Sequence, residues 1–270
     1  MKIAMKDTLG AVNDNGIYGG ITMKLYGDFT KDDWKHTLKI EESRIPSTFI
    51  LHGEWEHEGN IRTWQELLAK ELWHPTWNTL IGEYNAKQVG FSNVFGGPVA
   101  AMISHRFALL GTENFIQTGY YGGLSQAIQY GDILIVTSAY MEDGVSQWYI
   151  PGQTIVDADT ELVQAAIDYC EMKGYRYVTG SVFSTSAMLM ETSELVQSWA
   201  ADGHVGVDME TATTFAIARK YNRKAIGLLN LSDHIIEGDT LYSGNEEFKE
   251  IEGEIDRRIR EISLYLAEKF

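Results

Sequence analysis

The sequence predicts an α/β domain whose sheet is covered on both faces. Three observations carry this. From residue 47 onward, strand-like runs alternate with helical ones. The strand runs are nearly continuous apolar stretches rather than alternating ones, as expected of strands buried on both sides. The helical runs keep an apolar stripe and a polar face, so each can lie on a sheet.

The elements follow in order. Residues 1–45 are polar, with scattered Gly and Asp, and read as an N-terminal extension or cap on a domain spanning 46–270. "STFILHG" (47–53) is a strand ending in a turn. "NIRTWQELLAKELW" (60–73) is a helix, because Ile61, Trp64, Leu67, Leu68 and Leu72 fall on one stripe. "KQVGFSNVF" (87–95) is a strand, and 96–111 is a turn followed by a helix. "FIQTG" (115–119) and "DILIVTSAY" (132–140) are strands around a glycine-rich turn. Residues 160–174 form a helix closed by Gly174, a residue suited to the left-handed cap. A strand at 175–184 precedes a mostly helical stretch at 188–203. Residues 204–222 start extended and become helix, 224–234 is a buried strand, and 245–270 is a long amphipathic helix. Ligands on such sheets sit beyond the strand ends. The candidate loops are therefore 53–58, 96–98, 118–123, 184–189, 206–211 and 231–236.

Bulk composition excludes several function classes. The chain has 270 residues and a formal charge of -16. That argues against nucleic-acid partners, whose phosphates need Lys and Arg, and against docking on anionic membranes. The single cysteine, Cys170, rules out an internal disulfide framework and a cysteine metal cluster. The N-terminus has no apolar core of a signal peptide, and no apolar run is long enough to span a bilayer, so the expected setting is cytoplasm.

Four groups of residues could carry chemistry. Ser232, Asp233 and His234 follow a buried strand, where a partly desolvated Asp233 would serve as a general acid, or would simply cap a turn. Asp208 and Glu210 flank Met209. In an extended segment both carboxylates share a face and can hold sugar hydroxyls; at a helix start they would instead favour the dipole. "HGEWEHE" (52–58) concentrates Glu54, Glu56 and Glu58 with His52 and His57. No helical His pair accompanies them, so a solvated acidic turn is the default and no metal site is expected. Met188 and Leu189 could wall a flat apolar ligand or pack in the core.

In order along the chain, "FGGPVAAM", "TGYYGGLSQAIQYGDILI", "MEDGVSQWYIP", "VGVDMETAT" and "LLNLSDH" resemble the motifs of the nucleoside phosphorylase superfamily, from about residue 45 to the C-terminus. The resemblance implies a three-layer α/β/α fold with a mixed central sheet, no metal or organic cofactor, a small-molecule nucleoside substrate, and a homo-oligomer (dimer or hexamer). Position by position, Asp233 matches the acid that protonates the departing purine, and Ser232 precedes it. Glu210 matches the ribose-binding carboxylate, Met209 packs under the sugar, and Asp208 stands where many members have Glu. Met188, beside Leu189, matches a base-stacking position. Gly119 and Tyr120 lie in the glycine turn that holds phosphate in phosphorylases.

Two phosphate-binding arginines of that family are replaced here by Gln117 and His57. A neutral amide is a poor substitute for a bidentate guanidinium. "GEWEHE" instead resembles the hydrolytic branch, in which the last Glu of the motif activates water, and that places Glu58 as the base. The expected reaction is hydrolysis of the N-glycosidic bond of a purine or purine-like nucleoside. The alternatives are a phosphorylase with a rebuilt phosphate site using Arg44 or Arg106, an enzyme resembling AMP nucleosidase, and a non-catalytic nucleoside-binding protein. For a nucleotide substrate, Arg44, Arg62 and Arg106 are the nearest basic candidates.

Overall fold

The computed structural model describes residues 17–18, 21–22, 24–68, 73–243 and 248–270. The strands are β1 (Ile17–Tyr18), β2 (Ile21–Thr22), β3 (Thr48–Gly53), β4 (Trp73–Thr76), β5 (Thr79–Tyr84), β6 (Lys87–Val94), β7 (Asn114–Gly123), β8 (Ile133–Glu142), β9 (Ile155–Asp157), β10 (Tyr177–Thr185), β11 (His204–Asp208) and β12 (Lys224–Asp233). The helices are α1 (Lys31–Leu38), α2 (Glu58–Leu67), α3 (Gly96–Leu110), α4 (Ser146–Tyr149), α5 (Thr160–Lys173), α6 (Ser193–Ala201), α7 (Thr211–Lys220) and α8 (Lys249–Lys269).

β1 and β2 pair only with each other. The other strands form one mixed sheet in the order β11-β10-β8-β12-β7-β3-β6-β5-β4, with β9 on β8. β3, β6, β7 and β12 run parallel, while β12 meets β8 antiparallel. β11 pairs parallel with β10 and antiparallel with β7, through Gly206 opposite Gly123 and Val207 opposite Gly122. The strands β7, β12, β8, β10 and β11 therefore close into a ring, and β3 to β4 extend from β7 as an open wing.

Strand periodicity explains the layers. Phe49, Leu51 and Phe115 face one core with Phe107 of α3 and Phe215 of α7. Their neighbours Ile50 and Ile116 face the other core, with Trp64 of α2, Leu162 of α5 and Ile259 of α8. Successive side chains alternate between faces, so a run that is apolar at every position must be covered twice. The expected three-layer arrangement with a mixed sheet is the one observed.

Several elements differ from the sequence reading. The glycine-rich segment at 119–123 is not a turn; β7 runs through it to Gly123, held by β12 on one side and β11 on the other. β4, β5 and β9 carry no apolar run that marked them as strands. α2 ends at Leu67, and Leu67 is exposed. Residues 69–72 of the expected helix, including Leu72, and the first residues of the tail helix lie outside the described residues, and Trp73 opens strand β4 instead of closing the helix. Much of the N-terminal extension is also outside them. Within it, Trp34 and Ile40 are buried in the same core as Phe107. Thr30 caps α1 by accepting from the Asp33 N–H. No described helix is long and apolar enough to cross a membrane.

Candidate active site

A cavity of about 270 Å³ opens at the C-terminal ends of β3, β7, β11 and β12. This is where ligands meet parallel strands. Gly53, Tyr120, Met188, Met209, Glu210 and Asp233 are among its walls. Five of the six candidate loops thus converge on one space.

Asp233 ends β12. The pairing of β12 with β7 slips between Leu231 and Asp233, and this irregularity leaves Ser232 out of the ladder. Such a bulge re-aims side chains at a strand end, and both Ser232 and Asp233 line the cavity. The Ser232 hydroxyl donates to Asp233 Oδ1 at 2.5 Å. Burial nevertheless pushes the Asp233 carboxyl up to about 6, because desolvation outweighs that hydrogen bond. Glu191 shares the cavity and is pushed to about 7, first by burial and then by the charge of Asp233.

Glu210 immediately precedes α7 and accepts from the Gly96 N–H, at the start of α3, at 2.5 Å. A Cβ on Gly53 would lie 2.6 Å from Glu210 Oε2. Glycine at position 53 is therefore what lets this carboxylate reach the end of β3. Burial and the neighbouring Asp208 raise the Glu210 pKa. Asp208 lines the cavity as well, but both of its oxygens are occupied. Oδ1 accepts from Ser184 Oγ at 2.5 Å, and Oδ2 from the Thr211 N–H at 2.9 Å and from the Thr211 hydroxyl. Asp208 thus anchors the start of α7 through both oxygens.

The other sequence-derived residues divide. Met188, Met209 and Tyr120 line the cavity. Leu189 does not; its side chain is exposed. Gly119 is absent from the cavity wall and instead lies against Gly53, where a Cβ would meet the Gly53 carbonyl oxygen at 2.7 Å.

The largest correction concerns Glu58. It is the first residue of α2, is exposed, and does not line the cavity. The turn after β3 brings Glu54 to the cavity instead, four residues earlier. Glu54 Oε1 accepts from the Trp55 and Glu56 N–H groups at 2.8 and 3.1 Å. Burial raises its pKa.

The acidic turn does not gather its five ionisable residues. His52 Nδ1 lies 2.9 Å from Thr118 Oγ1 in the core, and burial lowers the His52 pKa to about 4, leaving the ring neutral. His57 packs edge-on to Trp77.

Sequence reasoning missed Phe95, Glu191, Leu241 and Glu252, which lie outside the candidate loops and also line the cavity. Glu252 comes from α8, whose amphipathic pattern signals only a packed helix. The cavity therefore carries six carboxyl groups: Glu54, Glu191, Asp208, Glu210, Asp233 and Glu252. Among the described residues, no Lys or Arg lines it. Arg106 instead stacks over the Trp34 ring, 5.2 Å from its centroid. Gln117 is fully buried; its Oε1 accepts from Thr214 Oγ1 at 2.7 Å.

Comparison with known proteins agrees with this architecture. The chain is 28% identical over 161 residues to a DeoD-type purine nucleoside phosphorylase of Clostridium perfringens, covering 58% of this chain and 68% of the relative. It is 31% identical over 152 residues to a guanosine phosphorylase of Halorubrum lacusprofundi, covering 55% and 61%. A uridine phosphorylase of Vibrio fischeri superposes with a TM-score of 0.76 at 22% identity, over 86% of this chain and 96% of that one. The family model described as "Phosphorylase superfamily" matches residues 56–267. With most of its length matched and its cavity at the strand ends, this chain belongs to the phosphorylase superfamily.

Proposed function

We propose that this protein cleaves the N-glycosidic bond of a purine nucleoside, with Asp233 as the general acid. The carrying observation is a carboxyl group with a raised pKa at a strand end, inside a cavity that also holds Glu210 and Met209. Asp233 gives its proton to the departing base as the C1′–N9 bond breaks. The electron pair of that bond leaves with the base, and the ribosyl carbon takes on oxocarbenium character. Glu210 is positioned to hold ribose hydroxyls, Met209 to pack against the sugar, and Met188 against the base.

The acceptor has two readings. Phosphate is the first, because the relatives described above are named as phosphorylases. They give no support to the hydrolytic expectation drawn from "GEWEHE". Phosphorolysis requires cations beyond the described lining of the cavity, and a second copy in the expected homo-oligomer is their source in this reading. Water is the second reading, favoured by six carboxyl groups with no Lys or Arg among the described residues of the lining. A unit charge on phosphate about 4 Å from an ionised carboxylate costs about 4 kcal/mol at an effective dielectric of about 20. In this reading Glu54, not Glu58, is the base.

Base release from purine nucleosides with and without inorganic phosphate separates the readings. Ribose 1-phosphate formed only with phosphate supports phosphorolysis; free ribose in phosphate-free buffer supports water. If water is the acceptor, Glu54→Gln is expected to lower kcat by roughly 10²-fold or more. Glu58→Gln should leave kcat unchanged, and a large loss in that variant would reinstate Glu58. If no purine nucleoside is cleaved under either condition, the proposed function is wrong.

A further inference from the structure

Tyr120 is a cavity wall, yet its hydroxyl is committed elsewhere. It donates to Asp256 Oδ2 of α8 at 2.7 Å. Asp256 itself does not line the cavity. Its other oxygen, Oδ1, accepts from Asn230 Nδ2 at 2.9 Å, and the same amide reaches the Glu252 carbonyl oxygen at 3.0 Å. Asn230 is buried in β12, three residues before Asp233. One carboxylate thus ties together β7, β12 and α8. These elements deliver Tyr120, Asp233 and Glu252 to the cavity.

We propose that Asp256 is a positioning residue for the reaction: through Tyr120 and Asn230 it fixes where the Tyr120 and Glu252 walls stand relative to the strand that carries Asp233. This rests on the cavity being the nucleoside site, but not on whether the acceptor is phosphate or water. The surroundings fit the role. Burial raises the pKa of Glu54, Glu252 and Tyr120, and the charge of Asp256 adds to the shift of each. On its other side Asp256 shares a small internal cavity with Arg260 and His52. His52 stays neutral through burial. Two well-formed hydrogen bonds to an ionised group are stronger than neutral ones. They hold a long Tyr side chain in a single place at the cavity edge.

The test is a double-mutant cycle of Tyr120→Phe, Asp256→Asn and the combined variant. For each protein kcat and KM on a purine nucleoside, the calorimetric Kd of the same nucleoside, and Tm are measured. A shared positioning role predicts that each single change lowers kcat by roughly tenfold, since a small misplacement of a site wall can cost up to about 10²-fold. KM should stay within about twofold, and the double variant should be no worse than the weaker single one. Additive losses, or a drop in Tm with kcat unchanged, would overturn the proposal. If Asp256→Asn does not fold, Tyr120→Phe decides alone, and an unchanged kcat overturns it. Nucleoside binding without turnover in the parent protein would sink the proposed function only. The coupling would then be read from Kd: non-additive changes uphold the role of Asp256, and additive ones refute it. No binding at all would refute both.

Discussion

Replacing Asp233 by Asn is expected to lower kcat for nucleoside cleavage by roughly 10²–10⁴-fold, the usual worth of a general acid. Asn keeps the shape and can still accept from the Ser232 hydroxyl, but it has no proton to give. The same substitution should stabilise the protein at neutral pH. Burial raises the folded pKa of Asp233 from 3.8 to about 6. Between those values the folded state binds more protons than the unfolded one, so this group's contribution to stability falls as pH rises and is lowest above about 6. Removing it should therefore return up to about 3 kcal/mol at pH 7 and nothing below the unfolded pKa. Urea unfolding at pH 7 and at low pH checks this, and equal stability of parent and variant at pH 7 would contradict it. Activity has the matching sign. The protonated acid is lost as pH rises through about 6, so kcat/KM of the parent should fall on that side and the variant should lack the limb. An Asn variant with near-parent kcat would remove Asp233 from the mechanism.

The second large effect is one of stability. Gly119→Ala is expected to destabilise the fold by roughly 3–5 kcal/mol, adding backbone strain to overpacking. Gly119 has φ +136, and an added Cβ would lie 2.7 Å from the Gly53 carbonyl oxygen and 2.9 Å from the Gly53 nitrogen. Those contacts are to the backbone of a paired strand, so neither can give way cheaply. Moving Gly53 also disturbs Glu210, which packs directly against it. Gly144 is the control: it too has positive φ, +78, but nothing lies within 4 Å of its would-be Cβ. Gly144→Ala should cost only roughly 1–2 kcal/mol. Denaturation midpoints for the pair measure the difference, and equal costs would show that the approach of β7 to β3 is not tight.

Much of this protein is set by local pattern. Runs apolar at every position marked β3, β7, β8 and β12 as doubly covered, because a two-residue period leaves no wet face. The positions of the loops after those strands followed from the same alternation. They brought Asp233, Ser232, Glu210, Met209, Met188 and Tyr120 to one cavity. What the sequence left undetermined depends on partners distant along the chain. Which glutamate of "GEWEHE" reaches the cavity depends on how the chain leaves β3 and where α2 begins; the structure selects Glu54 and leaves Glu58 exposed. By local pattern alone Asp208 and Glu210 look equivalent. They differ because Ser184 and Thr211 occupy both oxygens of Asp208, while Gly96 and the bare Gly53 frame Glu210. The glycine segment reads as a turn until β11 closes on it and makes it strand. Glu252 and Asp256 lie on a helix whose pattern promises only packing, yet one lines the cavity and the other holds Tyr120 from 136 positions away. Hydrophobic periodicity determines which face of an element is buried. The role of a polar group is determined by the donors, charges and backbone that other elements bring to it, and only the tertiary structure assembles those.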